Sequence, residues 1–533
     1  MQKVEGSTMQ KVGVIVALLL LAGLMAVPSD ALEVRASGFI DNKLDYTKNF
    51  SRERDVTDNK EDLFFARARL RTFINFIATD DLRGVVAVET DQVYGAPTRS
   101  ISGRCIEGEG IFASQQCGFD VSNDNNAFEL KHLYIDFRLP QLPIGNRFRI
   151  GGIPIQATPL HTNLLIGDDF GGGDIRLFFT DQVSLQLYFS QLEEDLERFA
   201  GSRKLGEDYF TGGTLMLKPL PGLDLHLLGY YAHLQQPFDP SMRGTIGQWQ
   251  ADQGATTNVT AEERYYVGFD ARYRLGNLSI EPSYIHLLGT RKFCTPGSRL
   301  TTTNIGDTAC TSVRADEIDF NAFQTQLVLR YRLGKWNLSL KGAWASGNKA
   351  TDDINNQGIP GTRPADVNRF HALSVVAAHR FGEWIEILGR QESSVIGNDF
   401  FVTTPGTQGG FDRFGVILVA FRPEYKLTDQ LILEGAVGAY WTDEPTACPA
   451  SLRTGPGGAC RGPSTPKHGS AFDFTGNSRF LGWEVDAGFL YTIMPGLRWQ
   501  TRFGWAFLGD AYQIQNRNVQ DAWIIANRLT YLF

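Results

Sequence analysis

Beyond residue 27 the sequence contains no long apolar run, and nothing there approaches the ~20 residues of a membrane-spanning helix. A helical membrane architecture is therefore excluded for most of the chain. Positive charge is not in excess either: 51 Lys and Arg stand against 59 Asp and Glu, a net charge of −8. Nucleic-acid binders carry the opposite balance, so a nucleic-acid partner is excluded. Cysteine is scarce, and none of the 6 has the close C-x-x-C spacing with a neighbouring His that zinc requires. The absence of C-x-x-C-H excludes covalent c-type haem. The histidines are scattered (His132, His161, His226, His286, His371 and His379 among them) and assemble no metal spacing and no Ser–His–acid set. No enzyme, cofactor or metal is expected. Helical 3.6-residue periodicity is almost absent.

What is present begins with a targeting segment. Lys11 precedes the apolar run 12–27, and Ser29 and Ala31 offer small residues at a cleavage site, the pattern of a secretory signal peptide. The motif Met-Gln-Lys-Val recurs at Met9, a second candidate start. Residues 1–31 are expected to be a signal peptide and 32–533 a single folded unit. An exported chain reaches a compartment that permits disulfides. Its cysteines fall into three local pairs, Cys105 with Cys117, Cys294 with Cys310, and Cys448 with Cys460, each in a Gly/Ser/Thr/Asp-rich stretch. Local disulfides are the economical pairing.

Period-2 alternation recurs throughout. In residues 265–275, Tyr265, Val267, Phe269, Ala271, Tyr273 and Leu275 share one face, against Tyr266, Gly268, Asp270, Arg272 and Arg274 on the other. Residues 324–333, 336–344, 481–493 and 497–507 behave likewise. Alternation alone also fits a soluble sandwich. Two features favour a membrane barrel. Aromatics stand at both ends of the apolar faces (Tyr265 and Tyr273, Trp336 and Trp344, Trp483 and Tyr491), as in interfacial girdles. Connections also alternate between short turns, such as 275–277, 333–335 and 494–496, and long loops, such as 95–125, 235–261 and 441–478. That asymmetry is the signature of an outer-membrane barrel. The fold expected is all-β: a transmembrane antiparallel up-and-down barrel of about 18–20 strands, in the outer membrane of a diderm bacterium. The pattern marks twenty segments, among them 369–381 and 383–395; the weakest are 146–155 and 172–179, and losing that hairpin would leave eighteen. The Cys pairs name the long-loop side as the exterior.

Candidate functional residues are those whose alternation points them into the lumen. Arg67, Arg69 and Arg71 form a basic ladder, with Ala66, Ala68, Leu70 and Ile74 toward lipid. Such a ladder either attracts anions or is neutralised by acids on the next strand, such as Glu89 and Asp91; both readings stand. Arg264, Arg272, Arg274, Arg330, Arg332, Arg498 and Arg502 share the lumen face with Asp224, Asp270, Glu434, Glu484 and Asp486. Gly167–Asp174, rich in acids and glycines, reads as an outward connection that either forms a plain turn-rich loop, binds a hard cation or folds inward to narrow the pore; Phe119–Glu129 carries the same ambiguity. The expectation is a passive water-filled channel for small polar or anionic solutes. Rival readings are a barrel sheath around a partner multihaem cytochrome, and a receptor whose stapled loops bind a ligand.

The chain also resembles known families. Leu130–Ile155 resembles the strand–turn–strand of Gram-negative outer-membrane porins, and the barrel likeness extends over nearly all of residues 32–533. Leu481–Tyr512 is similar to the C-terminal part of alginate-export-type outer-membrane proteins, through the motif Leu481-Gly-x-Glu-x-Asp486. That second resemblance implies a polysaccharide export channel and lumen-facing Glu484 and Asp486. At the C-terminus, Trp523, Ile525, Leu529, Tyr531 and Phe533 alternate onto one face, interrupted by Asn527, with Arg528 and Thr530 opposite. The ending through Leu529, Tyr531 and Phe533 resembles the signature read by barrel-assembly machinery, which would make that machinery, with outer-membrane lipid, a partner.

Overall fold

The computed structural model describes residues 32–49, 62–94, 118–119, 127–161, 164–193, 208–235, 259–294, 300–302, 308–310, 315–349, 351–353, 363–370, 372–373, 384–388, 414–445, 478–512 and 520–533. Eighteen long strands form its wall: β1 (Glu33–Lys48), β2 (Asp62–Thr79), β3 (Leu82–Tyr94), β4 (Ala127–Phe137), β5 (Gly145–Gln156), β6 (Gly167–Thr180), β7 (Val183–Glu193), β8 (Asp208–Leu220), β9 (Leu223–Gln235), β10 (Val259–Leu275), β11 (Leu278–Cys294), β12 (Ala315–Leu333), β13 (Trp336–Ala345), β14 (Val416–Lys426), β15 (Leu431–Trp441), β16 (Phe480–Met494), β17 (Leu497–Leu508) and β18 (Ala522–Leu532). Each pairs antiparallel with the next in sequence, and β18 returns to β1. The sheet therefore has no edge, which is the condition for a sheet in lipid, where an unpaired backbone group has no water to bind.

Closure is made at the chain end. Lys48 lies opposite Trp523 and Phe39 opposite Leu532. Beyond that ladder Gly38 and Phe533 exchange both backbone hydrogen bonds, at 2.9 and 3.1 Å. Gly38 is needed here because a Cβ would stand 2.2 Å from the Arg71 carbonyl oxygen and 2.8 Å from Phe533 Cζ. The terminal ring lies over the space the missing side chain leaves.

The alternation read from sequence sorts the wall into two faces. Val267, Leu327, Val419, Val437 and Val485 lie outward and 40–49% exposed, a surface that only lipid would cover. Aromatics bracket this band. Trp336 and Trp344, both more than 40% exposed, stand eight residues apart on one strand. At ~3.3 Å per residue that separation is about 26 Å along the strand, close to the height of an outer-membrane apolar band. The same interval separates Trp483 from Tyr491 and Trp523 from Tyr531. At the short-turn end Trp336 packs on Tyr425 and Phe489 on Trp499; at the long-loop end Tyr231 packs on Tyr265 and Trp483 on Phe507.

Tight turns close the short end. In two of them Gly276 and Gly334 sit at φ 57°, a left-handed conformation that disfavours a Cβ. Both ends of the described chain lie at this side of the barrel.

Three expectations need correction. The strands number eighteen, but 146–155 and 172–179 are both in the wall, as β5 and within β6. The segments that leave the wall are 369–381 and 383–395: their described residues lie inside the barrel, and β13 pairs directly with β14. Gly167–Asp174 is not an outward connection but the first half of β6, where Gly172 faces Gly151 and Gly171 faces Gly152. Glycine and Asp are poor strand formers in general. Here a Cβ on Gly151 would meet the Leu133 carbonyl oxygen at 2.2 Å, so close approach of neighbouring backbones selects the residue. Of Phe119–Glu129, only Phe119 and Ala127–Glu129 fall among the described residues, the last three at the start of β4.

Candidate functional site: the narrowed lumen

The described residues of two connections fold inward from the long-loop end. The first, residues 157–166, joins β5 to β6 and buries Ala157, Leu164, Leu165 and Ile166. Asp270 on β10 receives it: the backbone N–H groups of Leu160 and His161 donate to Asp270 Oδ2 at 3.1 and 3.2 Å, and His161 Nδ1 meets Oδ1. Arg272 donates to the Leu160 carbonyl at 2.7 Å, and Gln324 to that of Leu164 at 2.6 Å. Burial of His161 opposes its charged form, but its hydrogen bonds with Asp270 and Glu281 outweigh burial and hold its pKa above the ordinary histidine value.

The second inward connection runs from β13 to β14. Val367 adds to β12 alongside Phe320, exchanging backbone bonds with Asp319 and Asn321. Leu373 N–H donates to the Leu165 carbonyl at 2.9 Å, tying the two inward connections together. Residues 384–388 dock on β16, where Glu484 and Asp486 act as receptors. Ile387 and Leu388 each donate a backbone N–H to Glu484 at 2.7 Å, and Glu386 donates to Asp486 at 3.1 Å. Arg502 completes the contact through Glu386 Oε1 at 2.9 Å. Buried carboxyl groups are tolerated here because they accept these bonds. The inward residues and the long-loop half of the lumen wall together bury Phe170, Phe210, Tyr266, Phe320, Phe370 and Tyr440 in one apolar cluster. The charged lumen residues nearer the short turns stay partly open to water.

There the arginines share carboxylates. Glu89 lies between Arg71 (Nε–Oε2 2.5 Å) and Arg69 (3.5 Å). Asp136 lies between Arg83 (2.6 Å) and Arg147, Glu281 between Arg272 and Arg330 (3.2 Å each), and Glu434 between Arg502 (2.9 Å) and Arg422 (3.4 Å). A fifth such group, Glu262 between Arg264 (2.7 Å) and Arg291 (2.5 Å), is fully buried, with both guanidinium groups near the Phe320 ring. Each carboxylate is at most 9% exposed, while Arg69, Arg71, Arg83, Arg147, Arg272 and Arg330 are 24–51% exposed. Two arginines share one carboxylate at each of these sites except at Glu434, where Glu386 on Arg502 and Glu424 on Arg422 bring the carboxylates to three.

The sequence-derived residues thus separate. Arg69 and Arg71 line the lumen and pair with Glu89, as the second reading of the ladder has it; Arg67 faces the same side and is buried. Arg272, Arg330 and Arg502 join one lateral band, whereas Arg264 is sealed from the lumen. Glu484 and Asp486 receive a segment rather than face the pore. Arg332 and Arg498 are exposed near the short turns. The contributions of Arg83, Arg147, Arg422 and Glu386 were not legible from alternation, since nothing in one strand's sequence names its partners on the next. Cys105, Cys117, Cys448 and Cys460 lie outside the described residues; Cys294 ends β11 and Cys310 lies in a short strand paired with Leu300, with only their backbones described.

No family model matches the sequence, and no curated relative matches it. Among solved structures the chain is similar to Pseudomonas aeruginosa OccD3 (OpdP), at 12% identity over 95% of this chain and 92% of that one, with a TM-score of 0.44. It is also similar to P. aeruginosa OccK2 (OpdF), at 10% identity over 94% and 98%, TM-score 0.46, and to Acinetobacter baumannii OccAB3, at 12% identity over 93% and 99%, TM-score 0.45.

Proposed function

We propose that this chain is an outer-membrane porin, a passive channel through which small polar solutes, anions foremost, diffuse without chemical change. The observation that carries the proposal is a closed eighteen-strand wall, apolar outside, whose lumen is narrowed by its own segments and lined by arginines that outnumber the carboxylates they share. A field of that sign raises the local concentration of anions in a narrow passage. The inward segments favour small solutes, because residues 157–166 and 384–388 occupy space that a sheath would need for an enclosed haem protein and an export channel for a wide chain. Short turns face the periplasm and long loops the exterior. Lipid covers the outer band, and the Leu529–Tyr531–Phe533 ending addresses the chain to the barrel-assembly machinery. Reconstitution of the purified, heat-modifiable protein in planar bilayers tests the proposal. Discrete ohmic openings with a reversal potential displaced toward the chloride potential in a KCl gradient are expected; a folded barrel that inserts and passes no current would sink it.

A further inference from the structure

The apolar outer band carries a carboxamide at mid-depth, on the strand that closes the barrel. Asn527 of β18 lies on the lipid-facing side between Ile525 and Leu529, which are 37% and 40% exposed. It is four residues from Trp523 and four from Tyr531. Those aromatics mark the two edges of the band, so Asn527 stands about 13 Å along the strand from each. Thr501, directly opposite on β17 and also outward, donates its hydroxyl to Asn527 Oδ1 at 2.8 Å. The two N–H groups of Asn527 Nδ2 have no partner among the described residues. Other outward polar groups are satisfied within the wall. Thr211 and Thr325 donate to the carbonyls of Tyr188 and Ser283, at 2.9 Å each, and Tyr284 bonds His286 at 2.9 Å. Asn42 of β1, which faces Leu529 on one side and Ala68 of β2 on the other, stands diagonally across the seam from Asn527.

We infer that this face of the wall, from β17 to β2 around the closing seam, docks a second copy of the chain within the membrane. Acyl chains offer an amide neither donor nor acceptor, so a carboxamide held at mid-depth is costly unless protein covers it. A carboxamide is donor and acceptor at once, and Oδ1 keeps a second lone pair after accepting from Thr501. A two-fold axis through this face sets Asn527 against Asn527, where each Nδ2 donates to the other Oδ1. Each copy thus supplies what the other lacks. A different protein would have to present a matching donor and acceptor at the same depth. A second copy does so by construction, because its own aromatic girdles fix its height. Ala68, small and beside the seam, lets two walls approach closely, as small residues do where membrane segments pack. The inference is independent of what passes through the lumen, since each barrel keeps its own.

Two measurements on the full chain test this face. Energy transfer between labelled copies in liposomes, titrated by dilution with lipid, gives the dissociation constant of the pair. Wild type should be dimeric, with Asn527→Leu raising that constant about tenfold and Thr325→Val, at another outward polar position, leaving it unchanged. In outer-membrane fractions, Asn527→Cys treated with a short thiol cross-linker should give a product of twice the chain mass. Leu227→Cys, outward on β9 on the far side of the barrel, should not. Heat-modifiable migration shows whether each variant is folded; if Asn527→Leu fails to assemble, the wild-type stoichiometry and the two cysteine variants decide. A monomeric wild type, a cross-link to a protein of another mass, or a dimer that Asn527→Leu leaves intact overturns the inference. Each of those results leaves the channel standing, because conductance is read from single barrels in planar bilayers.

Discussion

Glu484→Ala offers a direct test of what narrows the lumen. The wild-type carboxylate is fully buried and accepts the N–H groups of Ile387 and Leu388, both at 2.7 Å. Alanine leaves two buried backbone donors without acceptors, and each unsatisfied donor costs about 1–3 kcal/mol. Taking the low end, residues 384–388 lose ~2 kcal/mol of docking, about thirtyfold in the docked-to-undocked ratio at 1.4 kcal/mol per tenfold. The wall is unaffected, because β15–β16 and β16–β17 keep their own ladders. Single-channel recordings should therefore show a larger and noisier conductance, and limited proteolysis should cut near residues 384–388 faster, while heat-modifiable migration stays normal. Glu484→Gln keeps one acceptor oxygen and should fall between. Wild-type conductance, noise and protease resistance in Glu484→Ala would refute the assignment of this carboxylate as the receptor of the inward segment.

Gly38→Val places a side chain where Cβ would already meet the Arg71 carbonyl at 2.2 Å and the Phe533 ring at 2.8 Å, so the β18–β1 seam cannot close as it does. Outer-membrane fractions should contain several-fold less heat-modifiable barrel, and an undiminished yield would count against the seam geometry. Replacing Arg67, Arg69 and Arg71 together with Ala removes three positive charges from one wall and leaves Glu89 with fewer cations; the anion-over-cation permeability ratio should fall roughly twofold or more, read as a reversal potential in a KCl gradient, and an unchanged potential would show that the ladder is structural only. His161 has its pKa raised by Asp270 and Glu281 against the pull of burial. The stabilisation it gives residues 157–166 is therefore complete below the ordinary histidine pKa and lost as pH rises through the raised value. Current noise should grow on the alkaline side of that transition in the wild type, and His161→Asn should flatten the pH profile.

The wall was legible because each wall strand carries its own evidence: one face must meet lipid, so period 2 is enforced residue by residue. Tyr265–Leu275 and Trp336–Trp344 show it, and the eight-residue interval between aromatics follows from the thickness of the apolar layer. The same rule misreads 383–395, of which 384–388 are described. Trp384 and Glu386 alternate with Ile385 and Ile387, as in a strand, yet Glu386 and Ile385 are both buried. An alternating segment inside a barrel can bury both faces when the polar one finds an arginine, here Arg502, and its backbone finds carboxylates. Nothing local to the segment announces that they exist. Residues 157–166 fail in the opposite way: a short Leu-Leu-Ile run after Pro159 and His161 has no period, and its inward path is dictated by Asp270, more than a hundred residues away.

Pairing across the wall also explains why counting arginines along the sequence overstates the free positive charge. Arg264 sits on the same face as Arg272 and differs from it only in height. At its height the Phe320 ring of β12 lies against it, so with Glu262 and Arg291 it braces the wall. Arg272, eight residues nearer the short turn, shares Glu281 with an arginine that is half exposed to the lumen. One carboxylate fixes two guanidinium groups in both places, which limits their rotamer freedom and spaces them apart. In the open half this leaves positive charge that is rigid, oriented by buried acids, and so already organised for an anion before one arrives. The residue that sets this behaviour is the shared acid. Glu281→Gln should therefore raise the fixed positive charge near Arg330 yet leave the anion-over-cation permeability ratio little changed, because the forks of Arg272 and Arg330 that it orients are released. A ratio raised about twofold or more in Glu281→Gln, read as a reversal potential in a KCl gradient, would mean that net charge alone governs the lumen and that the arrangement of the pairs does not matter.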